Sequence, residues 1–160
     1  MDDNIFELTR QIGENLKAKG LKLATAESCT GGGIAQTLTE VPGSSVWFDR
    51  GFVTYSNRSK VDMLGVDPQT LAQYGAVSAE VAQQMAAGAI AKSEAELAIA
   101  VTGIAGPGGG SLEKPVGTVY VAWQNKYQPA IVDKFQLSGN RHQIRAQTIQ
   151  KALEGLLSIY

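Results

Sequence analysis

The sequence predicts a layered α/β/α domain on a mixed, mostly parallel sheet that includes a late antiparallel hairpin. Three observations carry this. Segments of strand character and segments of helical periodicity alternate from Ile5 to Val101. Leu97 to Val101 is a continuous apolar run, the pattern of a strand covered on both faces. Val116 to Trp123 and Ala130 to Leu137 then alternate apolar with polar residues across a short polar connection, which reads as a hairpin.

The elements follow in order. Ile5, Leu8, Ile12 and Leu16 recur at three- and four-residue spacing, an amphipathic helix ending near Gly20. Leu21 to Ala26 reads as a short strand that runs into Glu27-Ser28-Cys29-Thr30-Gly31-Gly32-Gly33. Helical spacing resumes at Ile34, Leu38 and Val41 until Pro42-Gly43 stops it. Val46 to Tyr55, rich in aromatic and β-branched residues, suits a strand, and Asn57 is placed to cap a short helix containing Val61 and Leu64. Pro68 suits the first turn of another. Ser78 resembles an N-cap, with Glu80 in the first turn and Val81, Met85 and Ala89 as the apolar stripe of a helix reaching about Ser93. After the hairpin, Asn140 caps a last helix with Ile149, Leu153 and Leu156 inward.

Size and composition fit one domain over residues 1–160: the 160 residues are 44% hydrophobic and 18% charged, enough apolar matter to bury a core. Fourteen Lys and Arg against fifteen Asp and Glu leave a net charge of -1. Non-specific nucleic-acid binding draws on a basic surplus that this chain lacks, so no nucleic-acid partner is expected. Cys29 is the single cysteine, which excludes an intrachain disulfide and a cysteine-built zinc site. The acidic N-terminus lacks a secretion signal's apolar core, and no run approaches the about 18 apolar residues of a membrane span, so a cytoplasmic location is expected. Glycine is the compositional outlier, with 18 residues, many of them in two clusters.

The first cluster follows a strand and opens a helix. A nucleophile there gains from unpaired helical N–H groups and their partial positive charge, and the glycines let substrate approach the backbone. Ser28 occupies that place, with the amides of Thr30, Gly31 and Gly32 as substrate-binding candidates. From this pattern alone, Ser28 or Thr30 serves equally as a helix cap. The segment lacks the Gly-Lys-Ser/Thr ending of a P-loop.

A serine needs a base. The sole histidine, His142, lies beside Arg141 on the last helix and supports a Ser-His-Asp triad poorly. A desolvated lysine can replace histidine, and Lys60 is the candidate. Tyr55 and Lys60 are five residues apart, so a strand-to-helix turn must bring them together. A phenol beside the amine would relay a proton to the departing group. Cys29 is the rival nucleophile, with a buried small side chain as its alternative role. The second cluster, Gly103-Ile104-Ala105-Gly106-Pro107-Gly108-Gly109-Gly110, follows a strand, and its amides are suited to cradle a phosphate, with Arg141 or Arg145 as a forked donor. Pro107 and the lack of a following helical stripe separate it from a dinucleotide fingerprint.

Together, Ala26-Glu27-Ser28-Cys29-Thr30-Gly31-Gly32, Gly51-Phe52-Val53-Thr54-Tyr55-Ser56-Asn57 with Lys60, Tyr74-Gly75-Ala76-Val77-Ser78, and Val101-Thr102-Gly103-Ile104-Ala105-Gly106-Pro107-Gly108-Gly109 with Lys114-Pro115-Val116-Gly117-Thr118-Val119 resemble the C-terminal domain family of the competence-damage-inducible protein CinA. Gly139-Asn140-Arg141 is an outlying match. The family's stand-alone members include nicotinamide-nucleotide amidases.

The resemblance implies hydrolysis of nicotinamide mononucleotide to nicotinic acid mononucleotide and ammonia. It puts the nucleophile at Ser28, the base at Lys60, an assisting tyrosine at Tyr55, an active-site hydroxyl at Thr102 and a substrate arginine at Arg141, with Arg145 one turn away as the alternative. Gly103, Gly106 and Gly108 complete the substrate-binding set. This chemistry calls for no metal or cofactor, and a homo-oligomer is expected. An amidase for another small amide, and a nucleotide-binding domain without turnover, are the competing readings.

Overall fold

The structure, a computed structural model, describes residues 2–160. Helix α1 (Asp3–Lys19) leads into β1 (Leu23–Glu27) and α2 (Gly33–Thr39). A 3-10 turn at Ser44–Val46 precedes β2 (Phe48–Val53), which is followed by α3 (Asn57–Leu64), α4 (Pro68–Tyr74) and α5 (Ala79–Ala91). Strand β3 (Leu97–Gly103), the hairpin strands β4 (Thr118–Asn125) and β5 (Ile131–Gln136), and α6 (Arg141–Leu156) complete the chain.

The sheet order is β2-β1-β3-β4-β5. Strands β2, β1 and β3 are parallel, β4 is antiparallel to β3, and β5 is antiparallel to β4. Four of the five strands therefore point one way. The sheet is mixed and mostly parallel, with the late hairpin that the sequence predicts.

Side-chain alternation divides the two faces by size. Leu23, Leu97, Ile99, Val101, Val119, Val121 and Trp123 face one layer, where α1, α2 and α6 contribute Ile12, Leu16, Ile34, Leu38, Leu153 and Leu156. Ala24, Ala26, Ala98, Ala100 and Ala122 face the other, against Ala82, Met85, Ala86 and Ala89 of α5. Small residues on both partners let α5 lie close to the sheet, and α3 and α4 pack over α5. Among the described residues, no helix is long and apolar enough to cross a membrane.

Most differences from the sequence reading lie at element ends. Ser56, not Asn57, caps α3: its backbone is extended (φ -84°, ψ 158°) and its Oγ accepts the Ser59 N–H at 3.1 Å, which leaves Asn57 as the first helical residue. Val46, which the sequence reading puts at the start of a strand, instead ends the 3-10 turn that follows Gly43 (φ +82°), and β2 begins at Phe48. Strand β4 starts at Thr118, since Gly117 at φ +94° ends the preceding loop. Ser78 and Asn140 cap their helices, and Pro68 stands in the first turn of α4 behind the cap Asp67.

Candidate active site

Three parallel strands deliver their carboxyl ends to one edge of the sheet, where open α/β folds place ligands. Ser28 follows β1, Thr54 and Tyr55 follow β2, and Thr102 stands near the end of β3. The Ser28 N–H donates to Val101 O at 3.1 Å, and the Thr54 N–H donates to Glu27 O at 2.8 Å. Both bonds extend the strand ladders past their last residues and fix the serine in register with its neighbours.

Beyond Ser28 the chain reverses through Gly31 (φ +60°) and Gly32 (φ +101°), which only glycine adopts without strain. Glu27, which the sequence reading did not single out, organises this turn. Its buried carboxyl oxygens accept from Thr30 Oγ1 at 2.5 Å, Ile34 N at 2.8 Å and Ala35 N at 3.0 Å. It therefore caps α2 in place of Ser28 or Thr30, because the N-cap position is Gly32, which has no side chain. The signal was available: an acid at the end of an apolar strand, before a helix that lacks a capping side chain. One expectation changes. The amides of the first turn of α2 at residues 34 and 35 are taken by Glu27, so donors for an oxyanion must come from the turn itself.

Lys60, the fourth residue of α3, reaches back under the end of β2 and is 1% exposed. Its Nζ stands 3.0 Å from Ser28 Oγ, 2.8 Å from Thr54 O and 3.2 Å from Tyr55 O. Among the described residues no carboxyl group pairs with it. Burial lowers its pKa from the ordinary 10.5, opposed by the smaller effect of the nearby Cys29. A neutral amine has two N–H donors and one lone pair. With two carbonyls to take the donors, the lone pair is left for the serine hydroxyl.

The turn does bring Tyr55 to Lys60, but through its backbone carbonyl. Tyr55 is 61% exposed, and its phenol oxygen accepts from Arg141 Nη2 at 3.0 Å, while Arg141 Nη1 donates to Gly106 O at 2.8 Å. Thr102 is buried, and its Oγ1 donates to Ala76 O at 2.9 Å, tying the segment before α5 to the end of β3.

Ser28, Lys60, Tyr55, Thr102 and Arg141 line one cavity of about 260 Å³, with Gly103, Gly106 and Gly108 on its wall. That is slightly below the range of about 300 to 1,000 Å³ typical of small-molecule sites and suits a compact ligand. The amides of Ala105, Gly106, Gly108 and Gly109 meet no acceptor among the described residues. Asn57, absent from the sequence candidates, also borders the cavity. Thr30, Gly31 and Gly32 lie outside it. Arg145 is turned elsewhere, donating to Cys29 O at 3.1 Å and Thr30 O at 3.2 Å. His142 lines separate surface grooves. The Cys29 thiol is buried, and desolvation pushes its pKa up to about 12, so at neutral pH it is a protonated, weak nucleophile.

The mixed α/β sheet thus gathers a serine hydroxyl, a buried lysine amine and a glycine loop with unpaired amides at one edge, around a single cavity. The chain belongs to the CinA C-terminal domain family, whose pattern it matches over residues 5–160. It is 48% identical over 155 residues to the nicotinamide-nucleotide amidohydrolase PncC of Escherichia coli (strain K12), covering 97% of this chain and 94% of that protein. To the protein of the same name from Pseudomonas putida it is 49% identical over 157 residues, 98% of each. The crystal structure of the competence/damage inducible protein CihA from Agrobacterium tumefaciens superposes with a TM-score of 0.97 at 50% identity, covering 99% of this chain and 96% of that one.

Proposed function

We propose that the chain hydrolyses the carboxamide of nicotinamide mononucleotide, giving nicotinic acid mononucleotide and ammonia through an acyl-enzyme on Ser28. The observation that carries this reading is the 3.0 Å contact between Lys60 Nζ and Ser28 Oγ. The near full-length likeness to two proteins named nicotinamide-nucleotide amidohydrolase supplies the substrate.

An amide is a poor electrophile with a poor leaving group, so three tasks must be met. Neutral Lys60 takes the Ser28 proton as Oγ attacks the carboxamide carbon. Backbone amides after Ser28 hold the oxyanion. Tyr55, whose oxygen accepts from Arg141, donates its phenolic proton to the departing nitrogen, which leaves as ammonia, and the proton that Lys60 took from Ser28 passes through water to the phenolate, so that amine and phenol are both reset. Water, deprotonated by the reset Lys60, then attacks the ester, and the ammonium returns that proton to the Ser28 oxygen as it leaves, freeing the acid product and the enzyme. The phosphate lies against the amides of the glycine loop and Arg141. Two of that side chain's five N–H donors are used within the chain, leaving three for the ligand. Thr102 shapes the wall beside the reacting amide.

The test is incubation of the purified chain with nicotinamide mononucleotide, assaying ammonia and the acid product, with Ser28→Ala as control. Stoichiometric release of both is expected. Release no greater than the control defeats the reading, and tight binding of unchanged ligand would identify a nucleotide-binding domain instead.

A further inference from the structure

Arg145 is held in an unusual way. Among the described residues it pairs with no carboxyl group. Its fork is spent on two consecutive backbone carbonyls, Cys29 O and Thr30 O, in the turn that carries Ser28. It is one helical turn from Arg141 on α6, so both side chains lie on the same face. Arg141 enters the cavity and Arg145 grips the turn behind it.

The grip has a directional consequence. In a trans peptide the C=O and the following N–H point opposite ways. Holding Cys29 O therefore aims the Thr30 N–H away from the guanidinium. The next amide, Gly31 N–H, is already committed to Ser28 O at 3.0 Å. Glu27 takes the amides of Ile34 and Ala35. Near Ser28 this leaves the N–H groups of Cys29, Thr30 and Gly32 with no backbone or side-chain acceptor in another residue among the described residues, and of these three residues Cys29 borders the cavity. A cation on a peptide carbonyl also polarises that amide and strengthens its N–H as a donor.

We propose that Arg145 is a positioning residue: by holding the Cys29 and Thr30 carbonyls it fixes the turn so that the N–H of Cys29, which borders the cavity, with that of Thr30 behind it, is presented to the oxyanion formed when Ser28 is acylated. The inference rests on the proposed amidase reaction and deepens it.

The experiment is steady-state kinetics on nicotinamide mononucleotide for wild type, Arg145→Lys and Arg145→Met across pH, with thermal unfolding of each and added methylguanidinium. Loss of one oxyanion donor costs about a hundredfold or more in kcat. Arg145→Met should lose that much kcat, keep KM within about twofold and leave the pH midpoint of activity in place. Arg145→Lys, which can hold one carbonyl, should fall between, and methylguanidinium should restore part of the loss in the Met variant. If Arg145→Met does not fold, the same split in Arg145→Lys decides. Unchanged kcat overturns the inference. A loss confined to KM also overturns it and makes Arg145 a substrate ligand. An inert wild type instead defeats the amidase reading itself.

Discussion

Lys60 Nζ and Ser28 Oγ stand 3.0 Å apart, and the carbonyls of Thr54 and Tyr55 occupy the amine's two other hydrogen-bonding directions. Because those partners are neutral, nothing in the shell favours the ammonium over the amine strongly enough to offset burial, and the pKa moves down.

The pH dependence follows with a definite sign. With Lys60 as the proposed base, turnover requires the unprotonated amine, so kcat/KM should rise with pH through a midpoint below 10.5 and then level off. Stability shifts in the same direction. Between the lowered folded value and 10.5 the unfolded chain binds more protons at this site, so the contribution of Lys60 to stability increases with pH across that window and is lost as pH falls through the folded value. Lys60→Arg, charged at every accessible pH, should lose about 10²- to 10⁴-fold in kcat and the rising limb with it. Rate measurements and urea midpoints between neutral and alkaline pH check both. A fully active Lys60→Arg enzyme removes Lys60 from the mechanism.

Ser28 and Cys29 are adjacent, and the two candidates separate by environment. With its pKa pushed up to about 12, the thiol is almost wholly protonated at neutral pH. Cys29→Ala should retain activity within a few-fold, whereas Ser28→Ala should lose about 10³-fold or more. Ammonia release by both variants, with unfolding curves to confirm the fold, makes the comparison. Loss of turnover in a folded Cys29→Ala with Ser28→Ala still active would reverse the assignment.

How much of this was legible in the sequence depended on whether a relationship was local. The strand, glycine turn and helix around Ser28 were readable because residues 21–41 carry their own periodicity and punctuation. The caps Ser78 and Asn140 were readable because the accepting side chain and the donating amide are three residues apart. Lys60 was readable as a candidate, but the route by which Tyr55 meets it was not. The turn at Ser56 directs the Tyr55 carbonyl to the amine and the phenol to Arg141. The choice between Arg141 and Arg145 was also closed to sequence reasoning, since residues four apart on a helix share a face. Only the position of α6 over the Ser28 turn separates them. The strand order β2-β1-β3 likewise depends on long-range pairing, and it is what assembles the site.

The alanine-lined face of the sheet makes a stability test possible at Gly88. In an ordinary helix interior, alanine is better than glycine by about 1 kcal/mol. Here a Cβ at Gly88 would lie 2.0 Å from Leu64 O, a backbone atom at the end of α3 that cannot swing aside. Gly88→Ala should therefore destabilise the domain by about 1–3 kcal/mol despite the better propensity. Because α3 also carries Lys60, activity should fall together with the thermal midpoint. A midpoint at or above wild type would mean that α3 and α5 separate more easily than their packing implies.

The glycine loop and Arg141 can be tested together by changing both protein and substrate. Gly108 has open space where a Cβ would go and lies on the cavity wall, so Gly108→Ala adds a methyl group without a clash inside the chain. Gly110 differs, because its Cβ would meet Val116 N at 2.8 Å. If the loop amides and Arg141 hold the phosphate, Gly108→Ala and Arg141→Ala should each raise KM for nicotinamide mononucleotide. For Arg141→Ala the loss should be about tenfold or more, the scale of one charge-assisted contact. Nicotinamide riboside lacks the phosphate, so wild type should use it poorly and Arg141→Ala should change its kcat/KM little. The double comparison separates phosphate binding from any part Arg141 plays through the Tyr55 phenol. An equal loss on both substrates would assign Arg141 to the reacting amide end of the cavity and leave the loop amides as the phosphate site.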